Sequence, residues 1–319
     1  MDEFVNNYNS PTNSQLFEFR QKLNKEIAKY IKEKIRMEHY NLIAPEKLGE
    51  GSSIKLDVSI AEVDIYWKVA IEVLTVIAEN NKKGEPTVMV VPYGPLGPYF
   101  RLAELVNKYR ISLKNCVFIN MDEYLKDDKT YLDKTDALSF RGGMDRIFYN
   151  VVDEELNVLP ENRIFPDPEH PEKVMEIIEK YGKLDMVFGG VGINGHYAFN
   201  EPPEPDEVCS NEEFANRPTR VLKISRETRT INAYMNCGAD LNAIPTYCIT
   251  VGMKEMMMAK KVIMIMPRDW NAGALRKILH GEITAKVPCS LFRNHKDATI
   301  YTLQEATKCP IPEIRVYNK

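Results

Sequence analysis

Five short runs constrain the fold of this chain more than anything else in it: TVMVVP, CVFIN, LDMVFGG, VIMIMP and ATIYTL, each separated from the next by stretches of helical character. A strand that is apolar along its whole length must be covered on both faces, which is the habit of a parallel sheet held between two layers of helices. The intervening segments supply those layers. DIYWKVAIEVLTVIAENN, LGPYFRLAELVNKY, ALSFRGGMDRIFYNVV, PEKVMEIIEKYG, VGMKEMMMAKK and NAGALRKILHG all read as helices. In PEKVMEIIEKYG a proline sits near the start and a glycine just past the end, as helix termini prefer. The expected fold is α/β: a Rossmann-like, three-layer α/β/α domain with a mostly parallel sheet.

An added N-terminal helix precedes it. NSQLFEFRQKLNKEIAKYIKEKIRMEHY places Phe19, Leu23, Ile27, Ile31 and Ile35 every four residues, with Asn13 or Ser14 positioned to cap the start. The first ten residues read as disordered and PEKLGEGSS as a linker. This divides the chain into an N-terminal extension over 1–60 and a single α/β domain over 61–319. The helix's apolar stripe wants a partner, either its own domain or another subunit.

Bulk properties exclude several classes. A formal net charge of -4 makes nucleic acid and anionic membrane poor partners. No run approaches the roughly 18 apolar residues of a membrane span, and MDEFVNNYNS lacks the apolar core of a signal peptide. The six cysteines form no C-x-x-C pair and read as thiols of a reducing compartment, so a cytoplasmic location is expected. His39, His170 and His280 read as solvated, His295 as an exposed loop residue, and the methionines of MKEMMMAKK and VIMIM as core filler. No histidine or carboxylate cluster has metal-ligand spacing.

In open parallel sheets, ligands bind beyond the carboxyl ends of the strands. That rule selects Pro92–Pro98, Asn120–Tyr124, Gly189–Pro202 and Pro267–Asn271, the chemically unusual segments of the chain. Asp122 and Glu123 follow CVFIN directly. A partly desolvated carboxylate there can act as a general base, or can simply cap the next turn. In GGVGINGHYAFNEPP, Gly189 and Gly190 end a strand, while Gly192 and Gly195 let the backbone turn and approach a ligand. His196 can exchange a proton near neutral pH, and Glu201 lies close enough along the chain to orient it.

Together these residues resemble the glucosamine-6-phosphate deaminase family. FINMDEYL looks like its Asn-Met-Asp-Glu-Tyr motif, and GGVGINGHYAFNEP like its Gly-Gly-x-Gly-x-Asp-Gly-His-x-Ala-Phe-Asn-Glu-Pro motif, with weaker matches running from Ile65 to Leu303. The resemblance implies that an amino sugar 6-phosphate opens and a carboxylate moves a proton between C2 and C1. Ammonia leaves, giving fructose 6-phosphate. Asp122 would be the base; His196 would serve ring opening, with Glu201 and position 194 supporting it. Gly94, Gly97, Glu123, Gly190, Gly192 and Gly195 would border the substrate, with backbone N–H groups of the glycine turn as oxyanion donors. No metal or cofactor is implied, and a homo-oligomer is.

Two departures stand out. Asn194 replaces the motif's aspartate and is expected to turn an amide N–H toward the imidazole, where an acceptor is needed. The phosphate loop reads PYGPLGP, with no hydroxyl between Tyr93 and Pro98. The family's phosphate-binding arginine and lysine fall on Tyr234 and Asn271, with Arg229 and Arg268 nearby. Three readings follow: an isomerase or deaminase acting on glucosamine 6-phosphate or on a related sugar with altered phosphate recognition; a sugar lactonase; and a sugar-binding protein without turnover.

Overall fold

A computed structural model describes residues 12–34 and 38–311. Among them run β1 (Lys55–Ser59), β2 (Thr87–Val91), β3 (Cys116–Asn120), β4 (Asp122–Leu125), β5 (Arg163–Ile164), β6 (Met186–Gly190), β7 (Arg220–Lys223), β8 (Tyr247–Thr250), β9 (Lys261–Met266) and β10 (Ala298–Leu303). The helices that frame the molecule are α1 (Asn13–Lys34), α2 (Glu62–Lys83), α3 (Gly97–Tyr109), α4 (Phe140–Met144), α5 (Lys173–Tyr181), α6 (Arg226–Asn236), α7 (Met253–Met256) and α8 (Ala272–His280).

Seven strands form one sheet in the order β1-β10-β9-β6-β2-β3-β5, and its pairings are parallel. Successive residues of an inner strand feed opposite cores. Val88 and Val90 join the cluster that includes Leu275 and Ile278 of α8; Met89 and Val91 join the one built on Ile65 and Val69 of α2 and Leu102 and Val106 of α3. This is why the strands read as unbroken apolar runs. Helix ends obey local chemistry: the Ala61 N–H donates to Asp64, Lys82 and Lys83 lie in the last turn of α2, and the helix stops at Gly84 with φ 69°. Because β2 has β3 on one side and β6 on the other, the loops leaving β2 and β6 part from one another. Such a switch point opens a crevice at the strand ends.

A second sheet, β4-β8-β7, is antiparallel and stands beside this crevice. Its strands are short and partly polar, and no periodicity marks them. VGMKEMMMAKK, expected as a helix throughout, is helical only over Met253–Met256, where Met253 and Met256 are buried in the core. ALSFRGGMDRIFYNVV becomes α4 followed by a π-helical turn, Asp145–Tyr149.

The N-terminal part also differs from expectation. β1 is the edge strand of the large sheet, and Leu48 and Ile54 enter its core, so residues before 61 pack on the α/β unit. Fully buried Arg276 ties them down, donating to the carbonyls of Tyr40 (3.1 Å), Ile43 (2.8 Å) and Thr307 (2.7 Å). Glu38 is extended and His39–Leu42 forms a 3-10 turn, so the helix expected through Tyr40 does not reach it; residues 35–37, Ile35 among them, and the first eleven lie outside the described part. Leu16, Phe17 and Phe19 of α1 are exposed. His280 is half-buried and accepts from the Gly49 N–H, and His295 Nε2 lies 2.7 Å from the Ala259 carbonyl; neither is a free surface residue.

Arg276→Leu leaves three carbonyls, one buried and two half-buried, without their donor. It should cost about 3 kcal/mol or more in denaturant-induced unfolding; a loss under about 0.5 kcal/mol, the range of an ordinary surface change, would contradict this anchoring.

Candidate active site

A cavity of about 930 Å³ occupies the crevice, lined by the loops after β2 and β6, the start of β4, and residues of α4, α6 and the loop after β9. Of the residues singled out in the sequence, Asp122, His196, Gly94, Gly97, Gly190 and Gly192 line it. Asn194, Gly195, Glu201 and Glu123 stand behind this wall.

The chain leaves the large sheet at Asn120 and enters the small one at Asp122, which pairs with Thr250. Met121 bridges the two, its N–H donating to Val91 and its carbonyl accepting from Val251. Asp122 is therefore held at the seam, only 8% exposed. Among the described residues no group donates a hydrogen bond to its carboxylate. Burial, with the adjacent Glu123 charge adding to it, raises its pKa to about 8.

Glu123, expected at the substrate, is turned elsewhere. It is fully buried and accepts from the backbone N–H groups of Tyr124 (2.9 Å), Phe140 (2.8 Å) and Arg141 (2.7 Å) and from the Ser139 hydroxyl. Burial still raises its pKa against those bonds. Its work is to fix the N-terminus of α4, which carries Phe140 into the cavity wall.

The glycine turn is folded tightly on itself. The Gly192 N–H donates to the His196 carbonyl and the Gly195 N–H to the Gly192 carbonyl, both at 3.0 Å, and Gly195 sits at φ 84°. A Cβ on Gly192 would lie 1.9 Å from the His196 ring. The Val191 N–H donates to the Ile265 carbonyl. The N–H groups of residues 191, 192 and 195 are thus consumed within the protein and are not free to serve as oxyanion donors.

His196 is 6% exposed. Its Nδ1 faces Asn194 Oδ1 at 2.7 Å, Glu201 Oε2 at 3.3 Å and Thr228 Oγ1 at 3.3 Å. Asn194 does not offer its amide N–H to the imidazole, as its residue type suggested. It presents its oxygen there and donates from Nδ2 to Glu201 Oε2 at 2.8 Å. The side chain couples the two groups, and Nε2 is left for a substrate. Burial alone would raise the Glu201 carboxyl, but the charge of protonated His196 and hydrogen bonds from His196 and Asn194 outweigh it and lower its pKa to about 2. Thr228, from α6, was not visible as a site residue in sequence, being 32 positions from His196. Nor was Asn200, whose amide donates to the Tyr197 and Val251 carbonyls and so ties the turn to the small sheet's border.

The phosphate-site substitutions are also placed. Tyr234 is largely exposed and lies outside the cavity. Asn271 is buried, accepting from the Arg268 N–H (3.0 Å) and donating to the Val191 carbonyl (3.3 Å). Arg229 is used on the carbonyls of Leu241 and Ile244, whereas Arg268 lines the cavity. Among the described residues no group of three or more histidines, cysteines and carboxylates is arranged to hold a metal ion.

No protein-family model matches the chain. A glucosamine-6-phosphate deaminase from Thermoanaerobacter sp. (strain X514) is 30% identical over 245 residues, covering 76% of this chain and 90% of that protein. A monomeric glucosamine-6-phosphate deaminase of known structure superposes with a TM-score of 0.69 at 23% identity, over 80% of this chain and all of that one. The 6-phosphogluconolactonase from Trypanosoma cruzi gives 0.57 at 16% identity, over 79% and 95% of the two chains. These two structures establish the shared fold.

The carboxylates of Asp122 and Glu201 bear on stability with opposite sign. Between the ordinary value of 3.8 and about 8, native Asp122 holds a proton that the unfolded chain has lost, so stability falls as pH rises through that window. Asp122→Asn should therefore be more stable than the parent above about pH 8 and indistinguishable from it below about pH 4. Native Glu201 releases its proton near 2 rather than 4.5, so its contribution is present above 4.5 and is lost as pH falls toward 2. The deficit of Glu201→Gln should shrink over that range. Urea titrations across pH check both slopes.

Proposed function

The chain belongs to the glucosamine-6-phosphate deaminase family, and on that premise we propose that it isomerises and deaminates an amino sugar of the glucosamine type. In the family's reaction, glucosamine 6-phosphate and water become fructose 6-phosphate and ammonia. The single observation that carries this reading is Asp122: a buried carboxylate with no donor on its oxygens among the described residues, facing the same cavity as His196. A base held this way is matched to a weakly acidic C–H proton.

His196 handles the ring. Its Nδ1–H is fixed on Asn194 and Glu201, so Nε2 moves the proton that opens the pyranose to its chain form. The Glu201 carboxylate stabilises the imidazolium that arises in doing so. Asp122 then removes the C2 proton, giving an enolamine, and returns a proton to C1. The nitrogen at C2 becomes an iminium; water adds to that carbon, the C–N bond breaks, and ammonia departs to leave the ketose. Asn194 supplies orientation without charge, so the binding-only reading loses its main ground. The NMDEY and AFNEP segments set this reading above a lactonase.

The reading includes a cytoplasmic setting and a homo-oligomer. No helix among the described residues is long and apolar enough to cross a membrane, and the exposed apolar side chains of α1 favour self-association. Light scattering on the full chain measures the latter directly.

Ammonia release should be detectable with glucosamine or glucosamine 6-phosphate and abolished in Asp122→Asn. Absence of release from both sugars by folded protein would refute the reading. Because Asp122 must be ionised to accept a proton, kcat/KM should climb with pH and level off above about 8. Gly192→Ala displaces the imidazole and should lower kcat/KM about 100-fold with the fold intact.

A further inference from the structure

We propose that the end of the cavity away from Asp122 and His196 receives an uncharged group, so that the substrate class is an unphosphorylated amino sugar, or one carrying a neutral substituent at its far end. The inference rests on reading the cavity as an amino-sugar site. It goes beyond that reading by assigning the chemistry of the part of the sugar that does not react.

The wall runs from Gly190, whose open side meets Pro95 at 3.7 Å, to Gly97, which lies directly against the Tyr66 ring. A phosphate dianion bound here would need charge-assisted donors. Besides His196, the basic side chains on the wall are Arg101 and Arg268. Arg268 is already held by a carboxylate in a two-pronged pair: Nη1 to Glu62 Oε2 and Nη2 to Glu62 Oε1, both 3.1 Å. The Tyr66 hydroxyl donates to the same carboxylate. Arg101 pairs with Glu104 at 3.2 Å, and its guanidinium lies over the Trp67 ring.

Backbone donors are reduced to the N–H groups of Tyr93, Gly94, Leu96 and Gly97. Pro92, Pro95 and Pro98 have no N–H, and the Tyr99 N–H is taken by the Leu96 carbonyl. No serine or threonine occurs between Pro92 and Pro98. The side chains of Tyr66, Tyr93, Phe100 and Trp270 face the cavity instead. Aromatic faces and hydroxyls suit the C–H and O–H surfaces of a neutral sugar. A dianion placed beside Arg268 would meet Glu62 as well, and a like charge in contact with a ligand selects against it.

The test uses two probes that cannot be isomerised, 2-amino-2-deoxyglucitol and its 6-phosphate, in calorimetric titrations of the full chain. The parent protein should bind the neutral alditol at least about tenfold more tightly than the phosphate. Glu62→Gln frees Arg268 and should shift that ratio toward the phosphate by about tenfold, and the shift should vanish in Glu62→Gln with Arg268→Gln. Tighter binding of the phosphate by the parent protein, a ratio unmoved by Glu62→Gln, or no binding of either probe would overturn the inference. Ammonia release with free glucosamine and glucosamine 6-phosphate separates the two claims. Release from the phosphorylated sugar alone, with tight phosphate binding, leaves the deaminase reading standing and removes this one. A neutral preference in binding without release from either sugar does the reverse.

Discussion

The burial of Asp122 is the constraint on which the rest of the site depends. A carboxylate with no donor on its oxygens among the described residues and a second carboxylate next along the chain is costly to ionise, and the fold supports it by crossing from one sheet to the other at that point. β3 ends at Asn120, β4 begins at Asp122, and the Met121 peptide is bonded to both sheets. The neighbouring charge of Glu123 is kept apart by giving it its own set of donors at the start of α4. The two carboxylates thus differ because their surroundings differ: one is solvated by backbone N–H groups and positions a helix, and the other faces the cavity.

The histidine is managed in the opposite way. Where Asp122 is deprived of partners, His196 Nδ1 has three polar neighbours, and the Gly192 position has no room for a methyl group. Asn194 is the pivot. Its amide spans the imidazole and the Glu201 carboxylate with one acceptor and one donor, which fixes both geometries at once. An aspartate at that position would add charge beside His196 but would also face Glu201 with a second acceptor. Relative to the family motif, this chain gives up one negative charge and gains a hydrogen bond within the cluster.

The main sheet and its flanking helices were legible in the sequence, because strands buried on both faces leave continuous apolar runs. The crevice followed from the rule about strand ends, and the motif segments fell at those ends. The small sheet was not legible: DEYL, RVLK and YCIT are short and mixed in polarity, and pair only through contacts distant in sequence. The same reason hid β1, whose KLDVS has a partly exposed pattern. Asp122 was readable from position, but Glu123, identical in charge and adjacent, was not separable from it without the α4 N-terminus. The pairing of Glu62 with Arg268 joins residues 206 positions apart and has no local signal. The orientation of the Asn194 amide depends on Glu201 returning to it, which spacing allowed but did not specify.

The central claim is that a single carboxylate removes the C2 proton and a proton returns to C1. The most direct measurement follows the hydrogen itself: glucosamine, with or without its 6-phosphate, deuterated at C2 and turned over by the enzyme, with the product examined by proton and deuterium NMR. The account predicts a ketose bearing part of the deuterium at C1, the remainder exchanged into solvent through Asp122, and no such product from Asp122→Asn. An aldose product that keeps deuterium at C2 would mean the amine was displaced without proton abstraction, and would contradict the account.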